Sequence, residues 1–155
     1  MSLSLPETVH DFMDWPWERI APYYDELAQR PLTPDTVDQW LKDWTQLTKL
    51  IFERSSRLSV AKTLNTADET AEAAFNAFLE NIFPPSQAAE QRLRLRLLES
   101  GLEPDGMAVP LTKIRADVEM FREENLPLLA AERKLGSEYD KLVGAQTVEW
   151  AGQER

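Results

Sequence analysis

Two stretches of this chain repeat apolar residues at alternating steps of three and four, the spacing that keeps one face of an α-helix continuously apolar. In the first, Val37, Trp40, Trp44, Leu47, Ile51, Leu58 and Ala61 mark the stripe, with Arg54 in its one polar slot. In the second, Leu111, Ile114, Val118, Phe121, Leu128, Leu135, Tyr139 and Leu142 mark it, with Asn125 and Glu132 in the polar slots. Thr33-Pro34-Asp35 reads as a helix start: a capping hydroxyl, a proline in the first turn and a carboxylate at the positive end of the dipole. The first rod is therefore predicted to run from Pro34 to about Leu64, roughly 45 Å at the helical rise. The second is predicted to bend, because Pro127 lacks a backbone donor and Gly136 weakens the later half.

Shorter helices are expected elsewhere. One covers about Pro16 to Arg30, with Asp14 as cap, Pro22 placed to divide it and the Arg30-Pro31 step ending it. A third opens on Thr66 or Asp68 and carries Ala71, Ala74, Phe75, Phe78, Leu79 and Ile82 until Pro84-Pro85 stops it. Gln87 to Ser100 alternates leucine and arginine like a strand, yet it is built from good helix formers and ends at Gly101, so it reads as helix. Glu103 to Pro110 reads as a loop. The run Gln146-Thr147-Val148-Glu149-Trp150 alternates as a short β-strand, and Ala151-Gly152-Gln153 looks like the start of a turn.

The expected fold is thus all-α: an antiparallel bundle of about five helices, two of them long and sharing a core through their stripes, with a short strand near Trp150. In that arrangement Arg54 is expected to meet Asn125 or Glu132. Residues 1–15 are expected to be a flexible segment, 16–145 the helical lobe, and 146–155 the beginning of a strand or hairpin. A lone strand leaves its backbone groups unpaired, so the chain reads as a fragment of a longer protein.

Charge narrows the function. Seventeen basic residues against 27 acidic ones give a net charge of −10, which repels nucleic acid and anionic lipid. No cysteine is present, so thiolate metal sites, cysteine nucleophiles and disulfides are excluded, and the cytoplasm is the default expectation. Neither a targeting segment nor a membrane span is read.

Candidate chemistry is sparse. The single histidine, His10, stands close to Asp11 and Asp14, and these three are the one conceivable metal group, more simply read as solvated or capping residues. Glu123-Glu124 and Asp68-Glu69 are acidic pairs of the kind that face solvent or helix starts. Arg92, Arg94 and Arg96 form the one basic cluster, suited to an anionic partner or a peptide carboxylate but commonly a solvated face. No catalytic or metal-binding residue is assigned.

The residues also resemble a family. Leu32-Thr33-Pro34-Asp35-Thr36-Val37-Asp38-Gln39-Trp40-Leu41-Lys42-Asp43-Trp44, preceded by Trp17 to Tyr24 and Leu27 to Arg30, is similar to the amino-terminal region of M3-family zinc oligoendopeptidases of the oligoendopeptidase F type. Asn125-Leu126-Pro127-Leu128-Leu129, Leu135 to Lys141 and Gly144 to Trp150 resemble the passage from that family's helical lobe toward its catalytic part. The resemblance spans about Trp15 to Arg155 and implies two helical lobes around a channel for short peptides. Zinc is held in the family by an HExxH helix and a downstream glutamate, and no position of this chain matches either. The resemblance therefore implies a noncatalytic lobe whose partner is its own carboxy-terminal catalytic lobe. The alternative is a free-standing helical interaction module whose aromatic groove receives a partner helix. A lobe without its partner exposes apolar surface, so a homodimer is also expected.

Overall fold

A computed structural model describes residues 4–150 and 153–154. Six α-helices make up almost all of the regular structure among them: α1 (Trp17–Gln29), α2 (Val37–Leu64), α3 (Glu69–Asn81), α4 (Phe83–Glu99), α5 (Ala108–Met120) and α6 (Leu126–Gly144). Short 3-10 turns at His10–Phe12 and Glu123–Asn125 precede α1 and α6. No helix among the described residues is long and apolar enough to cross a membrane.

α4 is the hub. It packs against α1, α3, α5 and α6, while α2 packs chiefly on α3 and α1. The core follows from the sequence stripes: Trp40, Leu47 and Leu50 of α2, Ile20 and Tyr24 of α1, Phe78 and Leu79 of α3, and Leu93 and Leu97 of α4 are all fully buried. The α2 stripe faces inward from Val37 to Ile51, then opens, so that Ala61 is exposed.

Several boundaries differ from the sequence expectation, each for an identifiable reason. α1 begins at Trp17 with Pro16 as its cap, and Asp14 makes no capping bond; Pro22 lies inside the helix without dividing it. α2 starts at Val37 because Thr33 to Thr36 close a turn of their own, in which the Thr36 hydroxyl donates to the Pro31 carbonyl at 2.9 Å and accepts from the Thr33 amide. Pro84 and Pro85 open α4 and do not terminate α3, since a first-turn residue needs no intrahelical amide. Ala108 to Pro110, expected in a loop, form the first turn of α5.

The second long rod is two helices. Phe121 and Arg122 are extended before the turn at Glu123–Asn125, with Pro127 in the first turn of α6. A proline there cannot donate to the carbonyl four residues back, and its ring crowds that carbonyl, so the helix breaks upstream instead of bending. The break rotates the stripe. Leu111 is buried and Ile114, Val118 and Phe121 are partly buried, whereas Leu128, Leu135, Tyr139 and Leu142 are about two-thirds exposed, at 67%, 64%, 66% and 70%. α6 turns inward instead through Leu126, Ala130, Lys134 and Ser137.

The long stripes consequently do not share a core, and Arg54 meets neither Asn125 nor Glu132, both of which are exposed. Its Nη1 donates to the Trp15 carbonyl at 2.6 Å and its guanidinium lies over the Phe78 ring. In the segment before α1, Val9, Phe12 and Trp15 are buried in the core. The strand expected over Gln146 to Trp150 is not formed. Residues 146–148 are irregular, and only a two-residue antiparallel pairing stands beyond them, Glu149 with Glu154 and Trp150 with Gln153. The turn expected at Ala151-Gly152 lies outside the described residues.

Candidate functional site

Sequence candidates scatter. His10 and Asp11 lie exposed in the first 3-10 turn, where Asp11 accepts a hydrogen bond from Thr8, and Asp14 is exposed beyond it. No group of three or more histidine, cysteine, aspartate or glutamate side chains among the described residues is arranged to hold a metal ion. Glu123 and Glu124 are exposed. Asp68 caps α3, accepting from the Thr70 and Ala71 amides at 3.0 Å. The three arginines of α4 diverge. Arg92 pairs with Asp25 at 2.9 Å, Arg96 donates to the Arg30 carbonyl at 2.5 Å, and Arg94 points into a groove.

That groove is a broad surface feature lined by three helices. It holds about 620 Å³ between α2 and α5 and is floored by α4. Leu41, Trp44 and Phe52 line one wall, and Met107 and Ile114 the other. These positions follow from helical periodicity: 41, 44, 48 and 52 fall on one side of α2, and 107, 110, 114 and 117 on one side of the α5 segment. Lys49, Arg94 and Lys113 stand around it, none of them in an ion pair among the described residues, along with Asp117.

Beneath the groove lies a buried carboxylate that no sequence motif marks. Glu90 is 5% exposed. Its Oε1 accepts from the Tyr24 hydroxyl and the Thr48 hydroxyl, both at 2.8 Å, and its Oε2 accepts from the Trp44 indole Nε1 at 2.7 Å. Three donors from two helices therefore converge on one side chain of a third. Burying a carboxylate is costly unless its oxygens are hydrogen-bonded, and here both are. Burial holds the Tyr24 phenol well above its usual range, reinforced by the Glu90 charge and its hydrogen bond and opposed by Arg94. Tyr24 thus stays protonated and donates. A weaker signal for Glu90 was present in the chain: Ser86, Glu90, Leu93 and Leu97 fall on three-four spacing, so the acid sits on the buried stripe of α4.

A second polar junction fixes α6. Lys62, near the end of α2, donates to Ser137 at 2.8 Å and reaches Asp140 at 3.3 Å, with its ammonium over the Phe75 ring. Lys134 pairs with Glu80 and Lys141 with Glu72 at 2.8 Å; the hydrogen bond that Lys141 donates to Glu72 raises the Lys141 pKa. α6 is therefore held to α2 and α3 largely by polar contacts, and its leucines face out.

Comparison with known protein families, with curated proteins and with solved structures returns no match to this chain.

Proposed function

We propose that this chain is the noncatalytic helical lobe of a zinc oligopeptidase of the M3 oligoendopeptidase F type, walling and closing a channel for short peptides. Two things support the reading. The first is the resemblance carried by Leu32 to Trp44, Asn125 to Leu129, Leu135 to Lys141 and Gly144 to Trp150. The second, which carries most weight, is the outward apolar row of α6, Leu128, Leu135, Tyr139 and Leu142. Leu128, Leu135 and Tyr139 of this row occur within the resembling segments, and an exposed apolar helix face of this kind is commonly a surface that another polypeptide covers. The occupant proposed for the parent protein is its own catalytic lobe.

In such an enzyme the metal supplies an activated water. The described residues of this chain offer no matching ligand set, so no step of hydrolysis is assigned to them. The lobe's part is to exclude large substrates and to shed water on closure. Incubating the purified chain with zinc and an internally quenched oligopeptide is expected to give no hydrolysis, and turnover abolished by a chelator would overturn the noncatalytic assignment. Coding sequence downstream of Arg155 is expected to carry an HExxH motif; a stop codon in its place sinks the family reading.

The groove between α2 and α5 favours a second reading, a helical interaction module that takes a partner helix along Trp44, Phe52 and Ile114. The same downstream sequence separates the two.

A further inference from the structure

Two unsatisfied surfaces on this molecule complement each other. One is the α6 row, an apolar helix face about 21 Å long from Leu128 to Leu142 at the helical rise. Leu129 and Val143 widen it, at 41% and 44% exposed. Its neighbouring acids Glu132 and Glu138 are exposed and make no ion pair among the described residues. The other is the groove, whose α2 wall extends about 16 Å from Leu41 to Phe52 by the same measure. Its lining is largely apolar, through Leu41, Trp44, Phe52, Met107 and Ile114, and Lys49, Arg94 and Lys113 stand around it.

We infer that the occupant of the groove is α6 of a second copy of this chain. An amphipathic helix lying between two others over the floor of a third buries apolar stripes on both partners, the usual helix-in-groove arrangement. Charge selects this occupant. Most of the surface of a protein with net charge −10 repels its own copy, whereas the groove gathers three cations, none of them in an ion pair among the described residues, against two carboxylates. One of those carboxylates, Glu90, is already occupied by three donors. The basic residues of α6 that could oppose docking are turned away: Lys134 and Lys141 are paired within the molecule, and Arg133 lies over the Phe83 ring. The contact is heterologous, because helix face and groove are different surfaces. It requires only that the α6 face be free, so it stands apart from the identity of any larger parent. A strictly monomeric chain removes the inference and leaves the proposed function, and a missing HExxH motif does the reverse.

Sedimentation equilibrium on the full chain tests it. The wild type is expected to associate with increasing concentration to at least twice its 17.8 kDa mass, and added salt is expected to weaken the association. Leu135→Asp removes the helix face, and the double variant K49E/K113E reverses the rim of the groove. Both alter exposed side chains, and circular dichroism checks that each remains folded. Each is expected to weaken self-association by at least about tenfold. Mixing the two restores one intact dock, so an equimolar mixture is expected to give a 1:1 heterodimer and nothing larger. A wild type that stays monomeric at millimolar concentration overturns the proposal. So does loss of association in Leu135→Asp with none in the groove variant, which would mean that α6 pairs with α6. Failure of the mixture to form the heterodimer overturns it equally.

Discussion

The Trp44 indole on α2 donates to Oε2 of Glu90 on α4 at 2.7 Å, and this bond is one of three by which a buried carboxylate ties α1, α2 and α4 together. Removing the acceptor orphans the buried Tyr24 and Trp44 donors, the Thr48 hydroxyl having the Trp44 carbonyl at 3.0 Å as a second acceptor, whereas removing one donor leaves the carboxylate still bonded. Glu90→Gln turns an acceptor oxygen into a donor facing other donors and is expected to cost about 2–4 kcal/mol of unfolding free energy. Trp44→Phe loses the Oε2 partner and some packing, and about 1–3 kcal/mol is expected. Urea melts of each variant measure this. A Glu90→Gln melt superimposable on the wild type would contradict the network.

Tyr24 gives the network a pH signature. Its phenol ionises well above the usual range in the folded state because it is buried and bonded to the Glu90 carboxylate. In the unfolded chain it ionises near pH 10. Above that pH the unfolded state releases the proton first and binds fewer protons than the folded state, so stability falls as pH rises. The contribution is fully present below about pH 10, the unfolded value, and is lost as pH climbs toward the folded pKa. Phenolate absorbance should therefore show one of the three tyrosines titrating only as the chain unfolds, with Tyr24→Phe removing that late step. Early, reversible titration of all three would refute it.

The outward turn of α6 makes a paired prediction, best measured in dilute solution. Leu135 is 64% exposed whereas Leu126, nine positions earlier on the same helix, is 5% exposed. Leu135→Lys is expected to change stability by no more than about 0.5 kcal/mol, as an exposed substitution does. Leu126→Ala leaves a cavity where α6 enters the fold and is expected to cost about 2–4 kcal/mol. Thermal melts that reversed this order would place the stripe in the core.

How far the sequence was legible depends on the physics each signal encodes. Val37 to Ile51 read as a buried stripe and are one, because a long uninterrupted helix carries its phase along with it. Leu128 to Leu142 have the same spacing but face outward, because spacing shows that a face exists without saying where it points. The interruption at Phe121 to Asn125 reset that direction. Pro84-Pro85 were ambiguous for a related reason: proline is as compatible with the first turn of a helix as it is hostile to the interior. Glu90 was hidden by the arginine and leucine alternation of Arg92 to Leu97, whose period of two masks the three-four row on which the acid sits. Its donors, Tyr24, Trp44 and Thr48, are brought together only by the packing of three helices, and no local pattern encodes that meeting.

Two glycines with opposite backbone demands offer the last test. Gly101, which follows the C-cap of α4, has φ of +66°, in the left-handed region where a Cβ is strained. Gly136 lies inside α6 with open space where a Cβ would stand, so there it contributes only the entropic cost of glycine in a helix. Gly136→Ala is expected to stabilise the chain by about 0.5–1 kcal/mol, and Gly101→Ala to destabilise it by about 1–2 kcal/mol. One lies beyond the end of α4 and the other inside α6, and each acts on its own stretch of backbone, so the double variant is expected to show the sum of the single effects. Chemical denaturation of all three variants reads this directly. A destabilising Gly136→Ala would mean that the face carrying Leu135 and Tyr139 is packed against something, contrary to the exposed row that α6 presents.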